Sequence, residues 1–225
     1  MVKRNTLKAF VVFGLCCGYG PAIGRADGAG ELRPEWQIAL ELSEITATDS
    51  ATFLHHQSMP WLSVSHTLSP RWNVGAELAY LDPKKEPITG LFTQTGSWSL
   101  NYKLSGGYLG PYMEALLQGS RFGASFRCGV GVTYLRQSWE GQGISTQNMS
   151  HYDPSLVFSV GGSCRIGSNS HLHVGLKNLI VFQHGEYLTT TGFRGGSPNG
   201  PILEKEAVDT PEHLFLPFIG ASVRF

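Results

Sequence analysis

Beyond residue 26 the chain contains no apolar run approaching the roughly 20 residues that a membrane-spanning helix needs. Charge of one sign is also missing. Lys and Arg total 17 against 17 Asp and Glu, and charged residues make up only 15% of the chain, so no basic field is available to hold nucleic acid. Four cysteines are too few for a disulfide scaffold, and no two of them form a C-x-x-C pair. The sequence also lacks G-x-S-x-G, H-E-x-x-H and a Gly-rich phosphate loop, so no catalytic motif, metal set or cofactor is expected from it. What it does have is 28 glycines and a mean hydropathy near zero, at −0.08.

The amino-terminal stretch "MVKRNTLK" is basic, "AFVVFGLCCGYG" is apolar, and "GRA" precedes Asp27 with small residues at the two positions that a signal peptidase reads. Residues 1–26 are therefore expected to be a cleaved secretory signal. Cys16 and Cys17 lie within it, and Phe13-Gly14-Leu15 before them do not match a lipoprotein pattern. Cys128 and Cys164 remain.

From Trp36 onward the chain alternates with a period of two, segment after segment. In "WQIALELSEIT" Trp36, Ile38, Leu40 and Leu42 oppose Gln37, Ala39, Glu41 and Ser43. "RWNVGAELAYL" sets Trp72, Val74, Ala76, Leu78 and Tyr80 against Arg71, Asn73, Gly75 and Glu77. "WLSVSHTL", "SWSLNYKL", "ASFRCGVGVTYLRQ", "SLVFSVGGSCRI" and "HLHVGLKNLIVF" repeat the pattern, with Trp98, Leu100, Tyr102 and Leu104 on the apolar side of the second of these. A chain whose faces alternate in this way averages to neutral hydropathy, which is how a transmembrane barrel escapes a hydropathy scan. Connections alternate as well: "SPR" and "GSNS" are short, whereas long polar stretches follow residues 46, 81, 138 and 183. Residues 110–122, "GPYMEALLQGSRF", read either as a further strand or as a short helix between Pro111 and Gly119. The chain closes on "HLFLPFIGASVRF", with Phe215, Pro217, Ile219, Ala221, Val223 and Phe225 on one face.

With the leader, the alternating strands, the loop rhythm and the terminal "FIGASVRF", residues 36–225 resemble the small bacterial outer-membrane β-barrels of the OmpA/OmpX-like class. The resemblance implies an all-β, antiparallel, up-and-down transmembrane barrel. Eight strands are expected, with residues 110–122 absorbed near a turn or in an extended strand, and ten is the alternative. It also implies long outer loops, short periplasmic turns and a short periplasmic segment at 27–35. In that class the last strand carries an insertion signal read by the barrel-assembly machinery, here Phe225, Val223, Ala221 and Ile219, with Val223 where an aromatic is common. Lipid and lipopolysaccharide of the outer membrane are the implied surroundings. A secreted β-sandwich or lipocalin-like barrel shares the period but points its apolar face inward.

Several candidate residues follow. Glu41, Glu77, Glu114, Arg71, Lys103, Arg127, Arg165, Lys177 and Arg224 fall on the polar face, where they would form a lumen charge network, since an unpaired buried charge is expensive. A hairpin centred on residue 146 would place Cys128 opposite Cys164, either as a cross-strand disulfide or as two small residues facing lipid. Trp36, Trp61, Trp72, Tyr80, Trp98, Tyr102, Tyr134, Trp139 and Phe225 suit interfacial girdles. His55, His56 and Asp49 share a loop without further ligands, and the Ser65-His66 pair lacks the spacing of a lipid deacylase. The expected function is that of an integral barrel with a structural or surface-interaction role through loops 47–57, 82–92, 139–153 and 184–212, which could contact a host or surface ligand. A narrow transport pore and a lipid-modifying enzyme are the rivals.

Overall fold

The computed structural model describes residues 35–48, 57–92, 96–141, 144–191 and 202–225, so the expected signal segment and the Asp49/His55/His56 group lie outside the described residues. All regular structure is β: β1 (Trp36–Glu44), β2 (Ala47–Thr48), β3 (Ser58–Ser69), β4 (Trp72–Phe92), β5 (Gly96–Gln118), β6 (Phe122–Gly141), β7 (Ile144–Arg165), β8 (Ser170–Thr191) and β9 (Ile202–Arg224). β1 pairs antiparallel with β3, each strand from β3 on pairs antiparallel with the next, and β9 returns to β1 from Gln37↔Arg224 to Ser43↔Phe218. The two-residue β2 continues the path of β1 along β9. The result is a closed ring of eight walls, which leaves no unpaired sheet edge. Closure is completed by reciprocal bonds between the ends: Trp36 N donates to Phe225 O and Phe225 N to Trp36 O, both at 3.0 Å.

The alternation seen in the sequence becomes an inside and an outside. Along β1 Gln37, Ala39, Glu41 and Ser43 are buried while Ile38, Leu40 and Leu42 are exposed, and β3, β4, β6 and β9 repeat this. The exposed set forms a continuous apolar band that includes Leu78, Leu109, Val160, Val174 and Ile219. Ile219, Ala221, Val223 and Phe225 all lie on this outer surface. Residues 110–118 extend β5 as a strand, which holds the count at eight. Pro111 supplies no amide proton, and the β5–β6 ladder passes from Leu109↔Val132 to Tyr112↔Gly129 across it.

Three expectations are corrected. The stretches 82–92, 139–153 and 184–212 are largely strand rather than loop, because β4 runs to Phe92, β6 and β7 meet across residues 142–143, and β8 and β9 stay paired up to Thr191↔Ile202. Strands of 20 to 23 residues are about twice the ~10 needed to cross a bilayer, so these hairpins rise well past the apolar band. The β6–β7 hairpin is centred near residue 143, which sets Cys128 opposite Phe158 and Cys164 opposite Phe122. The cysteines are thus six positions out of register, about 20 Å at ~3.4 Å per residue, and neither is disulfide-bonded. Finally, the face of residues 101–104 is inverted: Tyr102 and Leu104 point inward and Asn101 is exposed. These residues keep the phase of the rest of β5, in which Tyr108, Tyr112 and Glu114 also point inward, so the apolar side chains of this segment fill the lumen rather than face out.

Candidate functional site

The interior is filled in three tiers. The middle tier gathers five of the nine expected lumen charges, one from each of five strands. Arg127 Nη1 lies 3.1 Å from Glu77 Oε2, and its Nη2 lies 3.2 Å from Glu114 Oε1 and 3.6 Å from Glu41 Oε1. Lys177 pairs with Glu41 and, at 3.5 Å, with Glu77. Asn73 Nδ2 donates to Glu114 at 3.1 Å. All these groups are buried, Lys177 and Glu77 almost wholly so. The cations also sit on rings, with the Arg127 guanidinium 4.3 Å from the Tyr112 centroid and Lys177 Nζ 4.1 Å from that of Trp61. Small residues on facing strands make the room: Glu41 pairs with Gly220, where a Cβ would stand 2.7 Å from the Glu41 Cγ. Three carboxylates and two cations in such a ring offset most of one another's charge, while Glu77 Oε1 and Arg127 Nε are buried with no hydrogen-bond partner.

The other four expected lumen charges are elsewhere. Arg71 is exposed on the β3–β4 turn, and Lys103 departs from the lumen set with the inverted face of β5. Arg165 folds back onto its own turn, donating from Nε to Gly167 O at 3.0 Å and from Nη2 to Ser168 O at 2.7 Å. Arg224 stands at the short-turn mouth, with Nε 3.1 Å from Gln37 Oε1.

Above the charges the lumen turns apolar. Trp61, Leu81, Tyr102, Leu104, Tyr108, Leu135, Trp139, Val157, Leu179, Val181, Leu214 and Leu216 form one buried cluster. This adds an apolar tier to the expected lumen charge network. It also moves Trp61, Tyr102 and Trp139 from the expected girdle into the lumen, where Tyr102 and Trp139 pack with centroids 4.4 Å apart. Trp36, Tyr80, Tyr134 and Phe225 do face outward or lie at the outer surface. Trp36 stacks on His66 at 4.9 Å, which explains a histidine on the lipid-facing side of β3 and gives the Ser65-His66 pair a packing role, since Ser65 points into the barrel.

The upper tier lies within the projecting hairpins and was not legible as a site, because the sequence reading assigned these residues to loops. Tyr187 Oη donates to Asp153 Oδ2 at 2.6 Å, and His184 N donates to Asp153 Oδ1 at 3.2 Å. His151 stacks on Tyr187 with centroids 4.0 Å apart, and Gln183 Nε2 donates to Glu212 Oε2 at 2.6 Å. Burial and the adjacent Asp153 carboxylate push the Tyr187 hydroxyl up, so it stays a donor. Burial pulls the His151 imidazole down, against the opposing pull of Asp153. Among the described residues no three His, Cys, Asp or Glu side chains gather in a metal-holding group. The arrangement fills and fastens the lumen along the described residues.

No family model and no curated protein sequence matches the chain. Solved structures do. A major outer membrane protein from Thermus thermophilus superposes with a TM-score of 0.54 at 12% identity, over 86% of this chain and 100% of that one. The N-terminal β-barrel domain of Pseudomonas aeruginosa OprF gives 0.47 at 7% identity, over 85% and 97%. Ail, the attachment invasion locus protein of Yersinia pestis, gives 0.44 at 13% identity, over 85% and 97%. With the closed ring of eight antiparallel walls and its alternation of apolar outside and charged inside, this chain has the fold of the small bacterial outer-membrane β-barrels.

Proposed function

We propose that the protein is an integral barrel of the bacterial outer membrane whose role is carried at the cell surface by its projecting hairpins, with the lumen closed to transport. One observation carries the membrane reading: burial is reversed relative to a water-soluble barrel, since Glu41, Glu77, Glu114, Arg127 and Lys177 are inside while leucines, valines and aromatics cover the outside. Water would reject that exterior, and a hydrocarbon slab accepts it. The surface role is supported by the strand lengths. The hairpins β4–β5, β6–β7 and β8–β9 overshoot the band, and β8–β9 carries the exposed charges Glu186, Lys205 and Asp209 there. Short turns at the other end would then face the periplasm, as in barrels of this fold.

The test has two parts. Asp209→Cys, in a background lacking the native cysteines, should react with a membrane-impermeant maleimide on intact cells, and Ser168→Cys on a short turn should not. In planar bilayers the folded protein should give no large, stable single-channel conductance. Labelling of Ser168→Cys on intact cells would reverse the orientation, and a steady conductance would replace the surface role with a transport one.

A further inference from the structure

The short-turn end of the barrel, opposite the hairpins, holds a polar cavity of about 340 Å³ beneath the Glu41/Arg127 tier. Three guanidinium groups line it: Arg121 from the β5–β6 turn, Arg165 from the end of β7, and Arg224 from the end of β9. Among the described residues none of the three has a carboxylate within ion-pair range. Arg165 and Arg224 instead donate to neutral oxygens, those of Gly167 and Ser168 for Arg165 and those of Gln37 and Gln118 for Arg224. Two side-chain carboxylates share the lining with the terminal residue Phe225, but Glu114 is already engaged by Arg127 and Asn73, which leaves Glu35 as the acidic side chain beside three arginines. His171 lines the same space, and its Nδ1, shielded from solvent, has no hydrogen-bond partner in the protein. The barrel's middle tier shows how this chain treats a charge that needs no ligand: each cation there has two or three carboxylates. The mouth arginines have none.

We propose that this cavity is a binding site for an anion bearing a phosphate or carboxylate group, entering from the short-turn side. Guanidinium forks match both groups bidentately, and an anion entering here would compete with neutral amide and carbonyl oxygens rather than with a protein carboxylate. The volume lies in the range of small-molecule sites, so a phosphorylated sugar or glycerol fits as well as a bare ion. The same chemistry is offered by a soluble phosphate or by the headgroup of an anionic lipid in the adjacent leaflet. The inference concerns the end of the barrel away from the hairpins, and its success or failure is independent of the surface role.

The experiment is isothermal titration of the folded full chain in phosphatidylcholine nanodiscs, at low salt, with inorganic phosphate and with glycerol phosphate. Saturable binding is expected, weakened roughly tenfold or more by Arg165→Gln and by Arg224→Gln, the scale of a lost charge-assisted hydrogen bond. Arg71→Gln, on a turn outside the cavity, should leave it unchanged. Because Arg224 lies beside the terminal residues, Arg121→Gln provides a second variant on an exposed turn, and all variants are checked for the folded band on an unboiled gel. Repeating the titration in discs containing phosphatidylglycerol separates the sources: loss of the phosphate heat identifies a lipid headgroup as the occupant, and retention identifies a soluble anion. Absence of saturable binding in phosphatidylcholine discs, or binding that survives all three cavity substitutions, would overturn the proposal.

Discussion

At the residue scale the protein rests on how few ways a buried guanidinium can be satisfied. Arg127 faces three carboxylates and the Tyr112 ring, so removing it leaves Glu41, Glu77 and Glu114 confined together with Lys177 as their remaining counter-charge. Arg127→Met should therefore cost about 3–5 kcal/mol of unfolding free energy, as for other broken buried ion networks, measured by urea titration in lipid vesicles. The surface pair Lys205–Glu186 at 3.2 Å is well hydrated, and Lys205→Met should shift stability by less than about 1 kcal/mol in the same assay. His151 offers a pH handle. Its folded pKa is lowered by burial, so the neutral ring is the form that stacks on Tyr187. The stabilisation is present above its ordinary value of about 6.5 and is lost as pH falls through the lower folded value. Hydrogen exchange at residues 151–153 and 184–187 should accelerate on acidification through that window, and His151→Phe should remove the acceleration.

At the element scale the sequence carried the strands and lost their length. The parity of Trp36–Glu44, Trp72–Tyr80 and Ile219–Phe225 is plain in the residues because one face of each must meet lipid and the other a crowded lumen. Above the apolar band both faces of a strand meet protein or water, so the alternation that marks a strand fades. Residues 82–92 and 184–191 therefore read as loops although they are paired. The misplaced disulfide has the same origin: a loop assumed to span 139–153 put the hairpin centre three residues late, and each residue of error in the centre shifts the cross-strand partner by two. Phasing "SWSLNYKL" by its apolar residues fails for a different reason: Tyr102 and Leu104 share the inward parity of Tyr108, Tyr112 and Glu114 further along β5, and they fill the lumen. Close approach also acts here. At Gly131 an added Cβ would lie 2.7 Å from Tyr108 Cε2 as well as against the Leu109 carbonyl, so Gly131→Ala should overpack the β5–β6 wall and cost about 1–3 kcal/mol in urea titration.

At the scale of the whole molecule the tiers explain why a chain of zero net charge and near-zero hydropathy has no water-soluble core to find. The lumen charges Glu41, Glu77, Glu114, Arg127 and Lys177 were legible because they sit in phase with the strands. The apolar tier above them was not, since Leu179, Val181 and Val157 belong to continuous apolar runs, "NLIVF" and "SLVF", in which parity cannot be assigned from the residues alone. That tier is what the proposed closed lumen rests on, so it bears most directly on function.

The central claim is that the apolar faces point to lipid and the charges to a closed interior. The most direct measurement is expression of the chain, isolation of outer membranes, and comparison of boiled with unboiled samples on an SDS gel. A detergent-resistant band that shifts on boiling and fractionates with the outer membrane is the predicted result. A soluble periplasmic protein with no shift would contradict the account, because those same leucines and valines would then have to be buried against each other.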